Sequence, residues 1–249
     1  MLRMALSRIA VDWSRPPVVR ATLRSEATGN RLDEHMLTEL TAVLDEAEAA
    51  PGIQVLVLDS AGETFCAGMA LDELTSAWRV RITAVGRLLT RLMASPLITV
   101  ALVDGAALGG GVGLAAACDK VVTGQHATFR MTEVLLGLIP ATILPVVARR
   151  VGGHRAYGLA LTARELSGAE AVEAGLADRQ GGEDGLRRIL IALRSADPAA
   201  LVALKQYYAE LAPAPAQQEE RVFEALGRRL ADPHVHRRLA DLRAQGLIS

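Results

Sequence analysis

The residues of this chain best suited by type and spacing to do chemistry lie in two small-residue turns. The first, Phe65-Cys66-Ala67-Gly68-Met69, follows an apolar strand, and its glycine lets the backbone take φ > 0 and present an N–H outward. The second is Ala107-Leu108-Gly109-Gly110-Gly111-Val112-Gly113, small residues entering a helix whose unpaired N–H groups and positive dipole end favour an anion. Two convergent N–H donors make an oxyanion hole, and losing one in a dry site costs roughly 3 to 4 kcal/mol of transition-state stabilisation. The glycine run alone is also compatible with a tight, closely packed strand-to-helix turn. A nucleotide loop fits less well: the run is not G-x-x-x-x-G-K-S/T, and read as G-x-G-x-x-G it lacks the spacing and the acidic residue about 20 positions on.

The elements that must position these turns follow from hydrophobic periodicity. Ser7 to Trp13 and Val18 to Arg24 read as two strands joined by a turn. Asp33 caps a helix carrying Met36, Leu37, Leu40, Val43, Leu44 and Ala47 on one face, and Pro51-Gly52 stops it. Ile53 to Leu58 is a continuous apolar strand of the kind buried on both faces of a parallel sheet. A second cycle runs through the loop Glu63 to Met69, a helix with Ile82, Val85, Leu88, Leu89 and Leu92 on one face, and the strand Ile98 to Val103. The glycine loop Gly105 to Gly113, an Ala-rich helix and the short strand Lys120 to Thr123 complete it. This alternation predicts an α/β fold of repeated ββα units.

The last third reads as helical. Ser167 and Glu170 form a capping-box pattern before a helix ended by Gly175, Asp197-Pro198 caps another, and Gln218 to Gln245 is helical with a break at Asp232-Pro233. A stiff Ala/Pro linker, Leu211 to Ala216, precedes that tail. Its apolar positions, Val222, Phe223, Leu226 and Leu230, are too sparse to fold alone, so they are expected to close over the site or join a subunit interface. The expected division is a ββα core over 1–195 and a C-terminal helical region over 196–249.

Composition narrows the function classes. Aromatics are 3% of the 249 residues, which disfavours stacking platforms for single-stranded nucleic acid. Lys plus Arg is 27 and Asp plus Glu is 28, a net charge of -1, so no electrostatic bias draws the chain to nucleic acid or an anionic membrane. Two cysteines, Cys66 and Cys118, cannot make a disulfide scaffold or a zinc site and fit a reducing compartment. MLRMALSRIAVDW does not read as a secretory signal. The apolar stretches from Met93 and from Val134 are interrupted by Pro96, Asp104, Pro140 and Pro145, short of the roughly 18 apolar residues of a membrane span. The expected location is cytoplasmic.

Taken together, Phe65 to Met69, Ala107 to Gly111, Cys118-Asp119, Ala127-Thr128-Phe129 and Glu133 to Pro140 resemble the enoyl-CoA hydratase/isomerase (crotonase) superfamily. The resemblance spans nearly the whole chain and implies a crotonase-like ββα spiral. It also implies that the backbone N–H groups of Met69 and Gly110 hold an enolate oxygen, that Glu133 is the catalytic carboxylate, and that the enzyme is a homotrimer or a dimer of trimers. Ala67, Gly68, Gly109, Gly113 and Ala141 are the implied substrate-binding positions, and Arg130, three residues before Glu133, can reach the same pocket and meet the free carboxylate of a substrate. Apolar Val134 to Ile139 beside Glu133 suggests burial and a raised pKa suited to acid-base work.

One departure matters. Hydratases of the superfamily carry a second glutamate where this chain has Gly113. The motifs, with Pro140-Ala141 and Leu144-Pro145, look like the dehydratases of polyketide β-branching cassettes. Those enzymes remove water from 3-hydroxy-3-methylglutaryl-acyl carrier protein to give the 3-methylglutaconyl thioester, and a partner decarboxylase follows. The resemblance implies no cofactor beyond the phosphopantetheine of acyl carrier protein or CoA that carries the thioester. An enoyl-CoA isomerase or hydratase acting on a CoA thioester, and a non-catalytic crotonase-like subunit, stay open as alternatives.

Other candidates are weaker. Arg79, Arg81 and His126 are further candidates for a substrate carboxylate. Arg20, Arg24 and Arg31 lie where the family grips CoA phosphates. Lys205 to Tyr208 lies on a helix that in crotonases lines the acyl pocket, with packing favoured over chemistry. His234 and His236, at i,i+2, do not share a helix face and read as surface rather than metal ligands. Cys66 has no nearby histidine to activate it and reads as packing.

Overall fold

A computed structural model of the chain describes residues 6–69, 78–211 and 219–245; the linker over 212–216 lies outside them. A six-stranded sheet holds β1 (Ile9–Arg15), β2 (Val18–Leu23), β3 (Val55–Ser60), β5 (Ile98–Val103), β7 (Lys120–Thr123) and β10 (Arg179–Gln180), in that spatial order. A small sheet holds β4 (Thr64–Cys66), β6 (Ala106–Leu108), β8 (Thr128–Arg130) and β9 (Leu166–Ser167). The long parallel strands β3 and β5 are each followed by a three-residue strand of the small sheet and then a helix. Thus β3 and β4 lead to α2 (Trp78–Ala94), and β5 and β6 lead to α3 (Gly110–Ala117). This is the ββα repeat that the sequence predicts.

The long strands are continuous apolar runs because both faces of the large sheet are covered; every residue of β5 is buried. One face meets α1 (Glu34–Ala49), α2 and α3 through the main core, and the other meets α7 (Gly182–Arg194) through Ile189 and Leu190. Asp33 caps α1, accepting from the Met36 N–H at 2.9 Å. Glu39 of α1 holds the start of β1: its carboxylate accepts from the N–H groups of Ser7 (2.9 Å), Arg8 (2.9 Å) and Ile9 (3.1 Å). Burial pushes its pKa up, but these bonds outweigh that and hold it below the ordinary value.

The segments read as the loops 63–69 and 105–113 each contain a short strand, β4 and β6. Three residues are too few to show a period of two, and their pairing is set by tertiary contact. Beyond β8 come α4 (Leu144–Val151), α5 (Gly153–Thr162) and α6 (Gly168–Glu173), the last with the full Ser167/Glu170 capping box. α8 (Pro198–Leu211) is tied down by Lys205, whose buried Nζ donates to the carbonyls of Leu92 (3.1 Å) and Leu97 (2.7 Å) and to Asp119 (2.7 Å). α9 (Glu219–Leu230) and α10 (Pro233–Ala244) pack Leu226, Val235 and Leu239 with Ile82, Leu136 and Leu138. No helix among the described residues is long and apolar enough to cross a membrane.

Candidate active site

Parallel pairing of β4 with β6, Thr64 opposite Ala106 and Cys66 opposite Ala107, brings the two small-residue turns side by side. Three hydrogen bonds fix them: the Ala67 N–H donates to Gly29 O, Leu32 N–H to Gly68 O and Gly109 N–H to Arg130 O, each at 2.8 Å. Among the described residues the Met69 and Gly110 amides have no acceptor of their own. They are neighbours, since a methyl placed on Gly110 would lie 3.4 Å from the Met69 nitrogen. The glycines are required by space as well as by conformation. A Cβ on Gly111 would overlap the Cys66 carbonyl oxygen, and one on Gly68, at φ +83°, would lie 2.7 Å from Leu108 O.

Glu133 opens a 3-10 turn, Glu133–Leu136, that follows β8. The residue is half-buried as a whole, but its carboxylate is enclosed: Oε2 is buried with no hydrogen-bond partner. Oε1 lies 3.1 Å from where a Cβ on Gly109 would stand, one residue before the Gly110 donor. Burial pushes the Glu133 pKa up from 4.5 to about 7, because desolvation disfavours the charged form. A carboxylate of that pKa beside unpaired N–H donors can take and return a proton near neutrality.

These groups line one cavity of about 90 Å³, with Ala67, Gly68, Met69, Gly109, Gly110, Glu133 and Ala141 in its wall and Leu226 of α9 over it. A second cavity of about 440 Å³ between α2 and α4 shares Ile82, Ala141 and Thr142 with the first. Gly113 stands outside both. A Cβ there would meet Ile143 Cγ2 at 2.5 Å, and Ile143 itself lines the smaller cavity. The side chain of Ile143 therefore occupies the space through which a glutamate at 113 would have to pass. Gly113→Glu is expected to lower the unfolding temperature by several degrees, as overpacking costs about 1–3 kcal/mol, and to give no second working carboxylate. Thermal unfolding and hydration of crotonyl-CoA check this, and an unperturbed variant with raised hydratase activity would refute it.

Arg130 also lies away from the cavity wall, because its Nε donates to the Ala163 carbonyl at 2.7 Å. Arg79 lies over the rings of Trp78 and Phe223 at 4.9 and 5.1 Å, Arg81 approaches Glu34 at 3.7 Å, and His126 is exposed beside Asp104. None of the three lines either cavity. Arg20 is ion-paired with Asp59 and Glu183 and is not free for a phosphate. Lys205 and Tyr208 line a separate cavity, away from Glu133. Cys66 is buried, and burial pushes its thiol up to about 12, so it is a packing residue. Among the described residues no three His, Cys, Asp or Glu side chains converge on one point. Polar residues outside the motifs also line the cavities: Thr132 and Thr142 the smaller one, and Thr83, Arg87, Thr90, Arg91 and Thr142 the larger.

The parallel-stranded ββα spiral thus sets two amides that have no acceptor among the described residues beside the buried Glu133 carboxylate. The chain belongs to the enoyl-CoA hydratase/isomerase family, whose model matches residues 16–229. It is 37% identical over 162 residues to a Thermus thermophilus enoyl-CoA hydratase, covering 60% of this chain and 62% of that one. It is 30% identical over 198 residues to the bacillaene synthase dehydratase PksH of Bacillus subtilis, covering 76% of each. The crystal structure of the polyketide biosynthesis enoyl-CoA hydratase pksH from Bacillus subtilis superposes with a TM-score of 0.86 at 25% identity, over 96% of this chain and 98% of that one. The matched segment thus spans a little under two thirds of the Thermus relative and nearly all of the PksH structure.

Proposed function

We propose that the protein is a hydro-lyase that dehydrates 3-hydroxy-3-methylglutaryl-acyl carrier protein to the 3-methylglutaconyl thioester. The observation that carries this reading is that Glu133 is the one carboxylate the described residues place in the cavity wall with the Met69 and Gly110 amides, while Ile143 fills the route from Gly113. Similarity to a polyketide dehydratase supports the pathway. The amides hold the thioester oxygen, and the Glu133 carboxylate takes the α-proton, leaving its electron pair in the enolate. The enolate pair then forms the Cα–Cβ double bond as the Cβ–O bond breaks. Glu133 returns its proton to the departing oxygen, releasing water and regenerating the carboxylate. No cofactor is consumed.

The larger cavity suits the distal carboxylate of a glutaryl chain. Arg87 lines it and has no ion-pair partner among the described residues, whereas Arg91 beside it is paired with Asp45 and Glu48. Arg87 therefore meets the distal carboxylate, since Arg130 is turned to the Ala163 carbonyl. Acyl carrier protein delivers the substrate, and a decarboxylase consumes the product. A homotrimer or dimer of trimers fits the apolar stripe of Leu204, Tyr207, Tyr208 and Leu211, which α8 leaves exposed.

The test incubates the protein with 3-hydroxy-3-methylglutaryl-acyl carrier protein, its CoA ester and crotonyl-CoA, each followed by mass spectrometry. Loss of one water from the carrier-bound substrate is expected. No change there, with hydration or double-bond migration on a CoA ester, would favour the enoyl-CoA hydratase or isomerase reading instead.

A further inference from the structure

Thr132, Glu133 and Thr142 are the polar side chains in the wall of the catalytic cavity. Thr132 precedes the 3-10 turn at its N-cap position, where a threonine hydroxyl ordinarily accepts from the backbone N–H two or three residues on. Here the residue is helical, at φ -93° and ψ -7°, and its side chain makes no capping bond. The Leu135 N–H goes to the Thr132 carbonyl at 3.0 Å instead. Among the described residues the Thr132 hydroxyl has no hydrogen-bond partner, so it is left over in a cavity that is otherwise apolar apart from Glu133 and Thr142.

Its position gives it a task. The point where a Cβ on Gly109 would stand is 3.5 Å from Thr132 Oγ1 and 3.1 Å from Glu133 Oε1. Both oxygens therefore flank the bare Cα of Gly109, next to the Gly110 donor. While Glu133 holds the α-proton, no second carboxylate among the described residues of the cavity wall is there to hold the β-oxygen. The space at Gly113 is closed by Ile143. A hydroxyl can donate to and accept from the same water or alcohol.

We propose that Thr132 is a further catalytic residue: its hydroxyl binds the β-oxygen of the substrate and donates to it as the Cβ–O bond breaks. This rests on the thioester dehydration or hydration reading, because a β-oxygen exists only in that chemistry. Thr132 takes no proton permanently, and the proton that leaves with the water still comes from Glu133.

The experiment compares wild type, Thr132→Val and Thr132→Ser in the full chain, with thermal unfolding as a control. One assay follows exchange of the α-hydrogen of butyryl-CoA and butyryl-acyl carrier protein in D2O, which needs Glu133 and the amides but no β-oxygen. The other follows water loss from 3-hydroxyacyl thioesters or addition to crotonyl-CoA. For Thr132→Val the expected result is α-exchange within about twofold of wild type and water chemistry slower by about 10- to 100-fold, the size of one hydrogen bond to developing charge. Thr132→Ser is expected to recover most of it. Equal losses in both assays, or no loss in either, overturn the proposal. If wild type leaves the carrier-bound substrate unchanged yet hydrates crotonyl-CoA, the substrate assignment fails while Thr132 is still tested on the hydration. A wild type that moves water on no thioester overturns both.

Discussion

At pH 8, Glu133→Gln is expected to lose about a thousandfold in kcat/KM for water elimination and yet to unfold at a higher temperature than wild type. Both effects come from the same burial. The carboxylate has a pKa of about 7 in the folded chain against 4.5 when solvated, so between those values the folded state binds more protons than the unfolded one. Stability contributed by the protonated form is complete below about 4.5 and is lost as pH rises through about 7. The gap corresponds to about 3 kcal/mol at pH 8, which the neutral glutamine does not lose. The stability difference between the two proteins should shrink as pH falls and vanish near pH 4. Wild-type kcat/KM should rise with pH to a plateau above about 7, because the free enzyme needs the ionised base. Denaturant unfolding at a series of pH values and a pH-rate profile check this. A flat profile from pH 5 to 8, or a glutamine variant less stable at pH 8, would contradict the role of Glu133 as a buried base.

The long elements were legible because each carries its own period. The helical spacing of Met36, Leu40, Val43 and Ala47 and the unbroken run Ile98 to Val103 predict α1 and β5, and both are present. The small sheet was not legible, since β4, β6 and β8 have three residues each and are set by pairing with one another and with β9. That pairing makes the site, so sequence identified the two turns without the reason they meet. Arg130 was misplaced for a related cause. Spacing of three residues brings side chains together on a helix, but β8 ends at Arg130 and its guanidinium turns to the carbonyl of Ala163, a residue in the left-handed region at φ +46°. Gly113 was placed in the substrate site because its family counterpart is a glutamate; the plug, Ile143, comes from a segment no local pattern positions. Arg87 was hidden because helix periodicity draws attention to the buried face of α2, and Arg87 lies off it.

Gly68→Ala is expected to reduce kcat by about a hundredfold, with a smaller change in KM. The added methyl would lie 2.7 Å from the Leu108 carbonyl oxygen and 3.0 Å from the Gly110 nitrogen. Both are backbone atoms of the opposing turn and cannot swing aside as a flexible side chain would. Alanine at φ +83° also costs about 1–2 kcal/mol in backbone strain. The chain can relieve the contact only by moving the Cys66–Met69 turn away from Gly110, and that separates the Met69 and Gly110 amides. The enolate oxygen then keeps one donor where it had two, a loss that bears on the transition state more than on the bound thioester. Because Leu32 N–H donates to Gly68 O, the same movement should loosen the start of α1 and lower the unfolding temperature by several degrees. The α-hydrogen exchange of butyryl-CoA isolates the enolate step. It should fall in parallel with kcat in Gly68→Ala, whereas in Thr132→Val it should not. A Gly68→Ala enzyme that exchanges the α-hydrogen at the wild-type rate would mean that the two amides do not act together on the thioester oxygen.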